Sequence, residues 1–210
     1  MNIKEALAEL RKEENKRKFE QSVDLIINLR GVDMKKDSVN VIVNVPHKIK
    51  DKKICGFLTK KNELVKTITE PEFKKYSEKK VLKKLVKEYD YFIATAGLMP
   101  KVATNFGKVL GPVGKMPSPQ LGIISSNETN EEIKSNLNKI STSVKIRMKE
   151  ASIKVIAGRE GMKDEEILEN IDAVYKTVLN ALPNKQENVK NVMLKLTMSK
   201  PVKMEIKQHG

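Results

Sequence analysis

Apolar positions recur at two different periods along this chain, and the change of period divides it. Ile3, Ala6, Leu7 and Leu10 lie on one helical face, which predicts a helix over about 3–16. Over 19–30, Val23, Leu25, Ile27 and Leu29 alternate with Ser22, Asp24 and Asn28, the period of a half-buried strand. Gly31-Val32-Asp33 reads as a turn. Val39, Val41, Val43 and Val45 form a second alternating run, stopped by Pro46. The middle differs: short apolar runs at 54–58 and 91–95 alternate with a lysine-rich helical stretch, an amphipathic helix over 78–89 and a helix over 100–110. That order suggests a parallel α/β sheet. Thr129-x-x-Glu132 reads as a capping box opening a helix with Ile133, Leu137 and Ile140 inward. The first style then returns. Residues 152–157 read as a strand, and Asp164-Glu165-Glu166 open a helix striped by Ile167, Ile171, Val174, Val178 and Leu182 and ended by Pro183. Val192, Leu194, Leu196 and Met198 alternate, Ser199-Lys200-Pro201 turns, and Val202, Met204 and Ile206 alternate again, a hairpin with one buried face.

Two similar ends around a distinct middle are explained by an insertion. Residues 1–48 and 149–210 are expected to form one α+β domain, and 49–148 an α/β domain inserted in it, with two chain crossings acting as a hinge. The absence of Trp and an aromatic content of 4% predict an aliphatic core.

Charge narrows the function classes. The 210 residues carry 41 Lys and Arg against 27 Asp and Glu, a net charge of +14. Such an excess favours a polyanionic partner, nucleic acid ahead of anionic membrane, although lysine-rich chains also occur in thermophiles. Residues 49–148 hold 20 basic against 10 acidic residues, so the expected insertion has most of the excess. No apolar run approaches the roughly 20 residues of a membrane span. Residues 1–18 lack the apolar stretch of a signal peptide, and the lone Cys55 has no intrachain partner; both point to the cytoplasm.

The most specialised stretch is Leu110-Gly-Pro-Val-Gly-Lys-Met-Pro-Ser-Pro-Gln-Leu-Gly122, with three prolines and three glycines. Its composition predicts a sharply turning loop, either a rigid connector or an RNA contact. It is not a P-loop: Val109 stands where the first glycine belongs and Met116 where Ser or Thr belongs. His47, His209 and Cys55 have no metal-ligand spacing. Gly158-Arg159-Glu160-Gly161 reads as a plain turn or an anion site at a helix start. By pattern alone Phe19 reads as core, and Thr197 as a solvated threonine or a hydroxyl for RNA.

Taken together, Leu110–Gly122, Lys18-Phe19-x-x-Ser22-Val23, Val45-Pro46-His47 and Thr197-Met198 resemble the large-subunit ribosomal protein L-one family, in its archaeal form, over essentially the whole chain. The resemblance implies a split α+β sandwich with an inserted Rossmann-like three-layer α/β domain. It implies no enzyme activity and no cofactor, and a chain that is monomeric when free. It implies binding to a structured site in large-subunit rRNA, in the mobile stalk near the exit-site tRNA, and repression of its own mRNA. By motif, it places RNA contacts at Phe19, Ser22, Thr197 and Met198, with Lys154 and Arg159 at neighbouring contact positions; Lys18 and Lys200 are expected to flank these as further cations that neutralise phosphates. Ser199 stands where the family often has Gly, which puts close backbone approach to RNA in question, and Lys154 stands where bacterial members have His. The alternatives are a phosphate-ligand or nucleotide-binding Rossmann-like protein using the middle domain, which lacks the Gly-rich turn and an acid–base pair, and a basic structural protein with no preferred RNA.

Overall fold

The computed structural model describes residues 2–33, 39–76, 78–119, 121–124, 128–148 and 150–204. In chain order the elements are α1 (Ile3–Leu10), β1 (Ser22–Leu29), β2 (Asn40–Asn44), β3 (Ile54–Phe57), β4 (Lys66–Ile68), α2 (Lys79–Glu88), β5 (Tyr91–Thr95), α3 (Met99–Val113), β6 (Ile123–Ile124), α4 (Asn130–Thr142), β7 (Ser143–Arg147), β8 (Ser152–Arg159), α5 (Asp164–Ala181), β9 (Val189–Leu196) and β10 (Val202–Met204). They fall into two compact units, Met1–Lys50 with Thr142–Gly210, and Asp51–Ser141. The sequence pattern puts 143–148 in the inserted segment. Instead β7 pairs antiparallel with β2, from Asn40 opposite Arg147 to Asn44 opposite Ser143, and so belongs to the first unit. This moves the charge. Residues 51–141 carry 17 basic and 10 acidic residues, a net +7, and the rest of the chain carries the other +7. The middle of the chain is not the dominant basic body.

The first unit is α+β. An antiparallel sheet ordered β10-β9-β1-β8 has one apolar face, because the strand period alternates cleanly along β1. Val23, Leu25, Ile27, Ile153, Val155, Val192, Leu194 and Leu196 point inward and form one core with Leu7 and Leu10 of α1 and Ile167, Ile171, Val174 and Val178 of α5. Each fully buried aliphatic side chain contributes about 1.5–3 kcal/mol. Helix α1 is shorter than its pattern suggests. The apolar stripe stops at Leu10, and Arg11 turns away to donate to the Met162 carbonyl (2.7 Å) and pair with Asp164 (2.9 Å) at the start of α5. The Val45-Pro46-His47 motif is locked structurally. The buried Asn170 side chain accepts from the His47 N–H (2.9 Å) and donates to the His47 and Ala157 carbonyls (3.0 Å each), joining α5, β8 and the turn after β2.

The second unit is an all-parallel sheet ordered β4-β3-β5-β6. Cys55, Phe57, Phe92 and Ala94 face α2 and α3 on one side. The other side carries Leu58, which shares a cavity wall with Ile133 of α4. The aliphatic core expected from composition fails in this unit. Phe57 packs against Phe73, Phe92 and Phe106 with ring centroids 4.7–5.8 Å apart. Of the five phenylalanines in the chain, only Phe19 lies outside this cluster. The lysine-rich stretch after Leu58 is not helical as its composition suggests. It forms β4 and a 3-10 turn over Glu70–Tyr76, because Val65, Ile68 and Phe73 are drawn into the core at irregular spacing.

The Pro/Gly segment is only partly a loop. Helix α3 runs to Val113, so residues 110–113 are its last turn. Pro112 supplies no N–H to the Lys108 carbonyl, a loss confined to the last turn, and the helix stops one residue later. Gly114, at φ 75°, closes the helix: its N–H bonds to the Gly111 carbonyl and the Lys115 N–H to the Leu110 carbonyl. The Lys115 ammonium donates to the carbonyls of Val86 and Tyr89 (2.7 Å each), capping the C-terminal end of α2. Gly122 is required by packing, since a Cβ there would lie 2.9 Å from the Phe92 carbonyl oxygen. The segment links α3 to the edge strand β6, and its lysine is turned into the fold. Gln120 of this segment, with Ile206 and His209, lies outside the described residues.

Candidate nucleic-acid interface

At one end of the first unit's sheet, three strands terminate together. β1 begins at Ser22, β8 ends at Arg159 opposite it, and β9 ends at Leu196 opposite Val23. Because β9 stops there, Thr197 and Met198 enter a turn instead of continuing the alternation that would bury Met198, and Met198 is 60% exposed. Phe19, preceding β1, is 52% exposed, so the core reading of its pattern is wrong. Two large apolar side chains exposed at one sheet end are unusual in a chain whose other phenylalanines are all in a core.

Hydroxyl groups join the two segments. The Ser22 N–H donates to Thr197 Oγ1 at 3.0 Å, and the two hydroxyl oxygens are 3.0 Å apart. The Ser22 hydroxyl also donates to Asp24 at 3.0 Å. Burial raises the Asp24 pKa, against the lowering effects of Ser22 and Lys195. Ser199 stands where close approach by RNA is in question, but its hydroxyl folds back on its own turn. It accepts from the Leu196 N–H at 2.8 Å and lies 3.1 Å from the Lys200 carbonyl.

The support beneath this patch comes from a residue the motif reading passed over. Gln21 is fully buried, on the parity of Val23, Leu25 and Ile27. Its carboxamide accepts from the Met198 N–H (3.1 Å) and donates to the Asn15 carbonyl (2.7 Å). Its backbone carbonyl accepts from the Glu160 N–H (2.9 Å). One side chain therefore anchors Met198 and the segment before Phe19, and its backbone joins the turn after β8. The signal was present as a polar residue on the inward parity of an apolar strand.

The cations divide. Lys18 and Lys200 are exposed at the patch. Arg159 is half-buried beside it, 3.9 Å from Glu20. Lys154 is not brought to this end. It faces outward from mid-β8 opposite Ile26, five residues before Arg159 and so roughly 16 Å away at ~3.3 Å per residue, and it pairs with Glu150 at 3.4 Å. In the second unit, Lys80, Lys83, Lys84 and Lys87 of α2 are exposed while Leu82, Leu85 and Val86 are buried, so one helix face is basic. Among the described residues no group of His, Cys, Asp and Glu could hold a metal, and no helix is long and apolar enough to cross a membrane. His47 pairs with Glu169 at 2.7 Å, and Cys55 is buried, its thiol pushed up to about 12 by burial.

Fold and site together define a two-unit protein, one part α+β and one part α/β, that presents hydroxyls, exposed apolar groups and cations at a sheet end. Comparison with known proteins gives that class its family. The model of the Ribosomal protein L1p/L10e family matches residues 10–200, and the chain belongs to this family, whose members are structural, non-enzymatic proteins. It is similar to three archaeal proteins, each named large ribosomal subunit protein uL1. The Pyrobaculum calidifontis protein is 36% identical over 201 residues, covering 90% of this chain and 87% of the relative. The Korarchaeum cryptofilum protein is 37% identical over 202 residues, covering 87% and 84%. The Archaeoglobus fulgidus protein is 33% identical over 215 residues, covering 97% and 95%.

Proposed function

We propose that this chain is a ribosome-associated, cytoplasmic component of the large ribosomal subunit that binds a structured site in large-subunit rRNA with the sheet end of its first unit. Family membership supports the ribosomal role. One observation carries the choice of site: exposed Phe19 and Met198 lie at the sheet end that bears the hydrogen-bonded Ser22–Thr197 pair, with the Met198 N–H held from below by Gln21. RNA shape is read through 2′-hydroxyls, sugars and unstacked bases, which such a mixture of hydroxyl and apolar groups fits. Lys18, Arg159 and Lys200 neutralise nearby phosphates and speed encounter. Ser199 closes the turn that presents Met198, and Lys154 makes an outlying phosphate contact from the open sheet face.

The same site binds a similar fold in the chain's own mRNA and represses translation, since one shape-reading surface serves any RNA with that shape. The lysine face of α2 in the second unit adds a weaker, salt-sensitive contact to RNA or to the exit-site tRNA.

Footprinting on large-subunit rRNA and on the protein's own mRNA, at several salt concentrations, tests this. Protection of one structured site in each RNA is expected. Replacing Lys80, Lys83, Lys84 and Lys87 with Ala should reduce the salt slope by roughly 1 per phosphate contact removed while leaving the site choice intact. Equal affinity and equal salt dependence for structured and random RNA would overturn the proposal.

A further inference from the structure

The inserted unit has a ligand-site architecture apart from the RNA contacts proposed above. In its parallel sheet the chain leaves β3 toward β4 and leaves β5 toward β6, so the strand order reverses between β3 and β5. Open α/β sheets bind small ligands outside the carboxyl ends of the strands at such a point, with anions held on backbone N–H groups. A cavity of about 330 Å³ lies at the carboxyl end of β3, lined by Leu58, Thr59, Lys60, Asn62, Glu128 and Ile133.

The donors at this position are already engaged. The Thr59 N–H donates to Glu128 Oε1 at 2.7 Å, and the Lys60 N–H to Oε2 at 3.2 Å. The Thr95 hydroxyl, from the carboxyl end of β5, donates to the same Oε1. Two successive backbone N–H groups and a hydroxyl from the neighbouring strand converge on one carboxylate, the donor set expected of an oxyanion site. Glu128 also has φ 47°, in the left-handed region that a non-glycine residue adopts only under strain. Such strain persists where surrounding contacts impose it.

We propose that Glu128 is a built-in carboxylate plug: it occupies the anion position at the strand-order reversal of the inserted sheet and closes that position to phosphate and phosphate monoesters. The plug ties the ends of β3 and β5 to the segment that opens α4, where Asn62 donates to Asn130 at 2.7 Å. Burial raises the Glu128 pKa, but the donors from Thr95, Thr59 and Lys60 outweigh it and hold the carboxyl below its ordinary range, so it is ionised at neutral pH. With Glu128 gone, the same donors and the cavity would accept inorganic phosphate.

The test uses the full chain, as wild type, Glu128→Gly and Glu128→Gln, with inorganic phosphate as the probe and chloride at matched ionic strength as the control. The chloride control is needed because a chain of net charge +14 attracts anions everywhere. Glycine removes the carboxylate and relieves the left-handed strain; glutamine keeps the shape and fills the position with a neutral amide. In Glu128→Gly, phosphate should shift the Thr59 and Lys60 amide NMR signals saturably and raise Tm by a few degrees over chloride. Wild type should show neither effect, and Glu128→Gln a response at least tenfold weaker than Glu128→Gly. If Glu128→Gly is unfolded in chloride, recovery of its far-UV circular dichroism in phosphate supports the plug, and no recovery overturns it. Saturable phosphate shifts at Thr59 and Lys60 in wild type, or identical effects of phosphate and chloride on Glu128→Gly, would also overturn it.

Discussion

Ser22 and Thr197, 175 residues apart in the chain, meet at one end of a sheet, where the Ser22 N–H donates to the Thr197 hydroxyl at 3.0 Å. The same hydroxyl oxygen lies 3.0 Å from that of Ser22. Thr197 thus supplies a surface hydroxyl and the hydrogen bond that sets where β1 begins.

Thr197→Val keeps the side chain's shape and removes its hydroxyl. We expect affinity for the structured RNA site to fall about tenfold, roughly the worth of one hydrogen bond, with the salt slope unchanged. Filter binding at three salt concentrations checks this. A change in slope with intact affinity would move the contact elsewhere.

Gln21→Leu should act from beneath. It strips the Met198 N–H and the Asn15 carbonyl of their partners, which costs about 1–3 kcal/mol of stability when such groups are left unpaired. Denaturant unfolding should show that loss, and RNA affinity should fall with it because Met198 is no longer held. Gln21 touches solvent nowhere, so an affinity loss here reports positioning and not contact.

Lys115→Met separates the two readings of the 110–122 segment. The ammonium makes two charged hydrogen bonds to the end of α2, so its removal should destabilise the second unit by roughly 1–3 kcal/mol. RNA affinity measured well below the unfolding transition should not change. Loss of binding without loss of stability would return the segment to the interface.

Acid should weaken the second unit through Glu128 and Glu72. Both carboxyls are held below their ordinary value of 4.5, Glu128 by donors that outweigh its burial and Glu72 chiefly by the Thr69 N–H. A lowered folded pKa means that the unfolded chain takes up the proton more readily. Each group therefore adds stability that is complete above about 4.5 and is lost as pH falls through the lowered folded value. Lys60 and Lys61 line the Glu128 cavity beside the carboxylate. Thermal melts between pH 3 and pH 6 should show a shallower acid slope in Glu128→Gln than in wild type.

The candidate site was legible only in part. Phe19, Ser22, Thr197 and Met198 came from motifs, while periodicity alone pointed Phe19 and Met198 inward. Both predictions failed for one reason: a period holds only while the strand lasts, and the positions of the turns decide where it stops. Gln21 was visible only as a polar residue on an apolar parity, whose partners come from an earlier turn, the turn after β8 and the hairpin after β9. β4 was hidden because a strand of three residues paired on a sheet edge carries too few side chains to show a period against a lysine-rich background.

By itself the sequence determined what depends on near neighbours. Alternation set the inward faces of β1 and β9, the 3.6-residue stripe set the buried face of α5, and charge with the absence of metal spacing turned the chain toward a polyanion. Tertiary structure decided whatever depends on partners far along the chain. It assigned 143–147 to the first unit by pairing β7 with β2, and with Lys50 also in that unit the charge divides equally between the two. It turned Lys115 inward to carbonyls 26 and 29 residues away, and set Glu128 on donors 68 and 69 residues away. A side chain's period encodes its direction from its own backbone. Which donors and carbonyls it meets there is settled only when distant segments pack, because backbone polar groups carry no sequence signature and must find partners wherever the fold buries them.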